Sequence, residues 1–356
     1  MCCNKATLSQ KRIEYLDVLR IIATIAVIMI HVAAWAWERV DINSRQWIRV
    51  VIYDGIARWA VPIFVMISGV IFGDGKKTDI IVLHKKYIVR IVVAFWFWSL
   101  IYSFVSALRY NLEVKEWIIT FLRGPVHMWY LYMVVGLYLL VPLLRGITNS
   151  VMLTKYFVLL SLIFTFILPY MADIFLLKEV EMTLLIEGAL EKINFHFTSG
   201  YVSYFIIGFY LNEIDTSGKI KWYIYFGGLI GCFLTIVLTM QLSWLKQMPD
   251  ETFYNYFSLN VLLESVGVFV FIKNCFIKCN ITEFKKKLLR KISKYSFGAY
   301  LSHVLVIDFM YSLIKNKGWG ACELIGIPII VILVTIISFG ISALLNQIPF
   351  IRKYLV

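Results

Sequence analysis

Residues 15–35 read YLDVLRIIATIAVIMIHVAAW. From Val18 onward the run is apolar over about the 20 residues that a helix needs to cross a bilayer core. Asp17 and Arg20 stand at its start and His31 near its far end. A helix turns 100° per residue, so Arg20 and His31 fall about 20° apart on one face, roughly 16 Å apart along the axis. Asp17 lies one turn before Arg20 and can pair with it. The spacing predicts that Arg20 and His31 look onto a shared cavity. Ionisable groups in hydrocarbon are costly and need a partner, a cavity or a function. The plainer alternative is a snorkelling Arg20 and a hydrogen-bonded core His31.

The remainder of the chain has the same character. Of its 356 residues 60% are apolar and only 16% charged, with a mean hydropathy of +0.78. That charge is too sparse to cover a soluble core. Apolar runs predict ten spans, at 18–37, 52–73, 88–107, 128–146, 154–173, 199–213, 221–240, 256–274, 295–314 and 321–344. The expected fold is all-α, a polytopic bundle of about ten transmembrane helices in one domain over residues 1–356. No soluble domain, internal repeat or cleavable leader is expected.

The net charge of +13 does not indicate nucleic acid, because the basic residues lie between apolar runs instead of on a stripe. Residues 273–294 carry Lys273, Lys278, Lys285, Lys286, Lys287, Arg290, Lys291 and Lys294, and residues 74–90 carry Lys76, Lys77, Lys85, Lys86 and Arg90. Residues 174–198 instead carry Glu179, Glu181, Glu187 and Glu191. This asymmetry predicts that both termini are cytoplasmic. The six cysteines, among them Cys2, Cys3, Cys279 and Cys322, have no His partners at zinc spacing, so no metal is expected. Asp54 and Arg58, four apart on one helix face, are expected to pair. Glu264 has no assigned partner.

The opening stretch, an Arg, ten residues and a His in the first helix, resembles the start of the acyltransferase-3 family of integral membrane acyltransferases. Five further segments match in the family's order: VPIFVMISGVIF (61–72), KKYIVRIVVAFWFWSLIY (85–102), HMWYLYMVVGLYLLVPLLR (127–145), SGYVSYFIIGFYL (199–211) and ISKYSFGAYLSHVLVID (292–308). The sequence departs after Arg90, where many relatives have a Pro and this chain reads Ile-Val-Val-Ala. The branch that looks most similar is the stand-alone surface-polysaccharide O-acyltransferases, such as the enterobacterial common antigen acetyltransferase.

The resemblance implies O-acyl transfer from acyl-CoA, commonly acetyl-CoA, to a carbohydrate or lipid-linked glycan across a bacterial cytoplasmic (inner) membrane. His31 matches the family's catalytic His and is expected to act as general base on a sugar hydroxyl. Arg20 matches the family's Arg. It is assigned to the donor, with thioester stabilisation and support of His31 as the other roles open to it. Lys85, Lys86 and Arg90 are expected at the phosphates of the donor, plain positive-inside anchoring being the alternative. His127, Trp129 and Tyr130 begin the fourth span on the outer side, as acceptor contacts or as belt residues. His303, with Asp308 beyond it, is a second active-site group or a satisfied structural His. Ser68 and Gly69 allow close helix packing or line the donor path. A transporter or flippase of a lipid-linked saccharide is the alternative function, and a sensor or anchor without chemistry is a third. Partners expected are membrane lipid and glycan, with no nucleic acid; an oligomer is compatible.

Overall fold

A computed structural model describes residues 5–75, 79–175, 177, 183, 184, 186, 188, 200–278, 281–314 and 323–356. Side chains are described from residue 14 on, apart from 277, 278, 314 and 323–325. Cys2, Cys3, Lys76, Lys77, Glu179, Glu181, Glu187, Glu191, Cys279 and Cys322, and the side chain of Lys278, lie outside them.

Among the described residues there is no strand. The helices are α1 (Lys5–Trp37), α2 (Arg45–Gly55), α3 (Ala60–Phe72), α4 (Val89–Tyr110), α5 (Val114–Arg123), α6 (Trp129–Thr148) and α7 (Val151–Ser161). They continue as α8 (Leu168–Phe175), α9 (Tyr201–Glu213), α10 (Ile220–Lys246), α11 (Leu259–Lys278), α12 (Glu283–Ile314), α13 (Glu323–Leu345) and α14 (Pro349–Tyr354). Eight stretches among the described residues are long and apolar enough to cross a membrane. The expected spans 199–213 and 295–314 fall on α9 and α12, which are not among the eight. At 13 residues α9 is shorter than a full crossing.

Several boundaries differ from the sequence reading, each for a local reason. The span expected at 52–73 is broken at residues 56–59, between α2 and α3. Pro62 sits in the first turn of α3, where its missing N–H costs nothing. The fifth span changes to a π-turn at Leu162–Ile167, just before Pro169, which has no N–H to give the preceding turn. A second π-turn, Leu83–Ile88, leads into α4. The basic segment expected as a loop at 273–294 is helical from Glu283 on, where it opens α12. Its Lys, Leu and Arg are good helix formers, and Lys286 pairs with Glu283 at 2.5 Å and Glu14 at 3.5 Å.

Helix α1 runs through the middle, packed on α2, α3, α11, α12 and α13. The crossing of α3 on α9 is drawn tight by a glycine from each side. A Cβ on Gly69 would strike the Phe205 backbone of α9, its carbonyl carbon 2.8 Å away, and one on Gly208 would lie 2.7 Å from the Met66 carbonyl carbon of α3. The outward faces of α4 and α10 leave Leu100, Phe104, Leu108, Phe226, Leu229 and Phe233 exposed, an apolar exterior suited to lipid. After α14 the chain turns inward: Leu355 and Val356 are buried. Trp98 Nε1 donates to the Leu355 carbonyl at 3.0 Å, and Arg90 donates to the Val356 main-chain oxygen.

Candidate functional site

Two polar stripes face each other where α1 packs on α12. On α1 the stripe is Asp17, Arg20, Thr24 and His31; on α12 it is Ser293, Ser296, Tyr300 and His303, at three- and four-residue steps. At the start of the stripes, Asp17 Oδ1 accepts from Arg20 Nη1 at 3.2 Å and from Ser293 Oγ at 2.7 Å. Arg20 also donates to Ser293 Oγ at 3.0 Å. The expected Asp17–Arg20 pair is therefore present, extended by a serine the sequence reading did not include. The pair fixes the guanidinium at the wall of a cavity of about 210 Å³.

That inner cavity lies between α1, α3, α4, α6 and α12. It is lined by Arg20, Arg90, Ser68, Tyr87, Tyr130, Leu131, Tyr138, Ser296 and Tyr300 among others. Arg90 crosses its edge with the guanidinium over the Phe297 ring, 5.3 Å from the centroid. Ser68 Oγ donates to the Phe64 carbonyl at 3.0 Å, so Tyr138 is the donor in its 3.2 Å contact with Ser68. Lys85 and Lys86, expected beside Arg90, are exposed on the π-turn and do not line this cavity.

A second cavity of about 320 Å³ is lined by His31, Tyr102, Ser103, Ser106, Thr120, Gly124, His127, Val304 and Asp308, among others. Arg109 stands 4.0 Å from Asp308 here, both half exposed. Thus Arg20 and His31 each line a cavity, but not the same one. The stripe is continuous; the space beside it is divided.

The division is made of rings. His31 lies 5.0 Å from His303 and 6.0 Å from His127, centroid to centroid, and His127 lies 5.2 Å from His303. Tyr300, on the inner cavity, is 5.8 Å from His303 and 6.0 Å from His127. Its hydroxyl donates to the His127 carbonyl at 2.6 Å. Tyr102 donates to the Leu301 carbonyl at 2.9 Å, tying α4 to α12 beside the trio. His303 Nδ1 lies 2.5 Å from the Tyr300 carbonyl. A carbonyl only accepts, so Nδ1 carries the proton and Nε2 of a neutral ring is left as an acceptor. His127 Nε2 and His303 Nε2 are buried with no partner among the described residues. Buried polar atoms of this kind call for an explanation, and a substrate group is one. Among the described residues no group of three His, Cys, Asp or Glu converges as metal ligands would.

The turn that delivers His127 is built for it. Gly124 has φ +68, and a Cβ there would meet the Phe95 ring at 2.6 Å and Ser99 Oγ at 2.9 Å. The three neighbours read together in the sequence separate here. His127 is buried in the trio. Trp129 is partly exposed and sits over Tyr256 and Tyr201 at 6.0 and 5.7 Å. Tyr130 lines the inner cavity, against Tyr300 at 5.9 Å and Phe64 at 6.0 Å. The sequence reading placed all three on the outer side and passed over Tyr102 and Tyr300. Tyr300 was detectable: it precedes His303 by three residues and so shares its face.

Arg58 Nη2 meets Asp54 Oδ2 at 2.6 Å and its guanidinium lies 4.0 Å above the Tyr254 ring. The expected pair forms, in a buried setting. Glu264 is buried beside Cys232, with which it shares a hydrogen bond.

A family model described as an acyltransferase domain matches residues 13–347. The chain belongs to the acyltransferase-3 family, and with eight long apolar stretches among its described residues it is a multi-pass membrane acyltransferase. No match was found among curated proteins or among solved structures.

Proposed function

We propose that the chain transfers an acyl group, acetyl in the simplest case, from cytoplasmic acyl-CoA to a hydroxyl of an extracytoplasmic or lipid-linked carbohydrate. The donor enters the inner cavity, where Arg20 and Arg90 offer planar cationic forks to its phosphates or carbonyls. The acceptor occupies the second cavity, among Ser103, Ser106, Thr120 and Asp308. His31 takes the proton of the hydroxyl; the oxygen attacks the thioester carbonyl; the coenzyme A thiolate leaves and takes that proton back. His303 Nε2, an acceptor, takes a hydrogen bond from a neighbouring hydroxyl of the same sugar, and His127, as the Nε2–H tautomer, donates to the reacting oxygen. Lys85 and Lys86 act by attraction at the cytoplasmic entry.

The observation that carries this reading is the position of the histidine trio, between a cavity walled by two arginines and a cavity walled by hydroxyls. The proposed setting is one membrane domain of ten crossings, α9 and α12 added to the eight, with both termini in the cytoplasm of a bacterium. The stand-alone surface-polysaccharide O-acetyltransferases are the branch it would join.

The test is reconstitution in vesicles with acetyl-CoA labelled in the acyl group. Label is expected to reach an extracted lipid-linked glycan in the wild type and not in His31→Ala or Arg20→Ala, both inserting normally. Translocation of a lipid-linked saccharide without acyl-CoA, unaffected by His31→Ala, would replace the enzyme by a flippase.

A further inference from the structure

The inner cavity ends against a wall with little give. Tyr130 and Tyr300 pack ring on ring at 5.9 Å. Tyr300 is pinned by its 2.6 Å hydrogen bond to the His127 carbonyl, and Tyr130 is backed by Phe64 at 6.0 Å and Trp129 at 6.3 Å. Leu131, fully packed, fills the corner beside them. Tyr300 also stands 6.0 Å from His127 and 5.8 Å from His303, so the two rings flank the cavity on the side that meets the histidines. A thioester held by Arg20 and Arg90 with its carbonyl turned to the histidines would lay its acyl group against the Tyr130 ring.

We infer that Tyr130, braced by Tyr300, sets the length of the acyl group, admitting two or three carbons and excluding longer chains. The inference rests on the proposed function, in that the donor is taken to be a thioester in this cavity. A cavity of about 210 Å³ has room for about seven water-sized groups at roughly 30 Å³ each. A narrow thioester arm with a short acyl group uses that room, and each added methylene asks for another place that the rings deny. Close-packed interiors do not yield such places without strain. The sequence alone could not suggest this, because it set Tyr130 beside Trp129 on the outer side.

The experiment is a donor series, acetyl-, propionyl-, butyryl- and hexanoyl-CoA, run on wild type, Tyr130→Ala, Tyr130→Leu and Tyr130→Phe in detergent or vesicles. One methylene in an apolar pocket changes kcat/KM by about 10–200-fold. Wild type should therefore favour acetyl over butyryl by at least about 10-fold, on the one methylene beyond the three carbons admitted. Tyr130→Ala should narrow that ratio by at least about 10-fold and give measurable hexanoyl transfer. Tyr130→Leu should fall between, and stands in if the alanine variant does not fold. Tyr130→Phe, which keeps the ring, should keep the wild-type ratio. An active alanine or leucine variant with an unchanged ratio overturns the inference. So does Tyr130→Phe behaving like Tyr130→Ala, which would assign the effect to the hydroxyl. A wild type inert with every acyl-CoA would instead refute the proposed function itself.

Discussion

Replacing Gly69 by alanine adds one methyl group at the tightest crossing described in the bundle. That Cβ has nowhere to go. It would lie inside contact distance of the Phe205 carbonyl, with the carbonyl carbon at 2.8 Å and Cα at 3.2 Å, where 3.4 Å or more is ordinary. The obstacle is backbone, so no rotamer change relieves it. Helices α3 and α9 must part by more than the roughly 0.6 Å that the carbonyl carbon alone demands, because the carbonyl oxygen is nearer still, and they must do so against a core of Tyr204, Phe205, Met66 and Ile63 that is fully buried. Overpacking of this kind costs about 1–3 kcal/mol, and alanine's helix preference returns only about 0.5–1 kcal/mol. The net loss is then up to about 2.5 kcal/mol at a crossing closed on both sides. Gly136 is the matched control. It lies in α6, and a Cβ there meets nothing within 4 Å, so Gly136→Ala should be neutral or slightly stabilising. Thermal unfolding midpoints of both purified variants read the difference directly. A second readout follows because α3 also carries Phe64, Ile67, Ser68 and Ile71 of the inner cavity: Gly69→Ala should raise the donor KM, and Gly136→Ala should not. Equal midpoints for the two variants would refute the reasoning that backbone contact holds this crossing.

Removing one member of the buried Asp54–Arg58 pair, by Asp54→Asn or Arg58→Met, should destabilise by about 3–5 kcal/mol, while the apolar double variant loses less than either single one; chemical unfolding of the set checks this. Arg90→Gln should raise the donor KM at least about 10-fold, equivalent to roughly 1.4 kcal/mol, and this should persist in high salt. Neutralising Lys85 and Lys86 should act more weakly and fade as salt rises, since both are exposed; KM at two ionic strengths separates them. Tyr300→Phe removes the bond that pins the His127 turn and should lower kcat with little change in donor KM, a split that steady-state kinetics resolves.

The membrane character and most span positions could be read directly from apolar run length, because lipid imposes that length on any helix. What could not be read was how the spans are interrupted. The break at residues 56–59 and the π-turn at Leu162–Ile167 depend on local hydrogen bonding beside Pro62 and Pro169, which hydropathy does not register. For the site, the 11-residue step from Arg20 to His31 gave the shared face correctly, as helix geometry requires. The divided cavity was hidden because its partition comes from α12 and from the turn after Gly124, far away in sequence. The Ser293, Ser296, Tyr300 and His303 stripe was nonetheless present as periodicity, and a search for polar residues at steps of three and four in a span would have found it. The different surroundings of His127, Trp129 and Tyr130 follow from successive positions on a helical turn, about 100° apart, pointing to different neighbours.

The π-turn at Leu83–Ile88 gives the third crossing an unusual tolerance. A π-turn holds one residue more than an α-turn, so losing a single residue there would restore regular winding instead of rotating everything downstream. Arg90 and α4 would keep their bearing, while Lys85 and Lys86 would swing around the axis. Length variation at this point is thus a route by which the charge carried ahead of α4 can be re-aimed without disturbing the chamber that Arg90 lines.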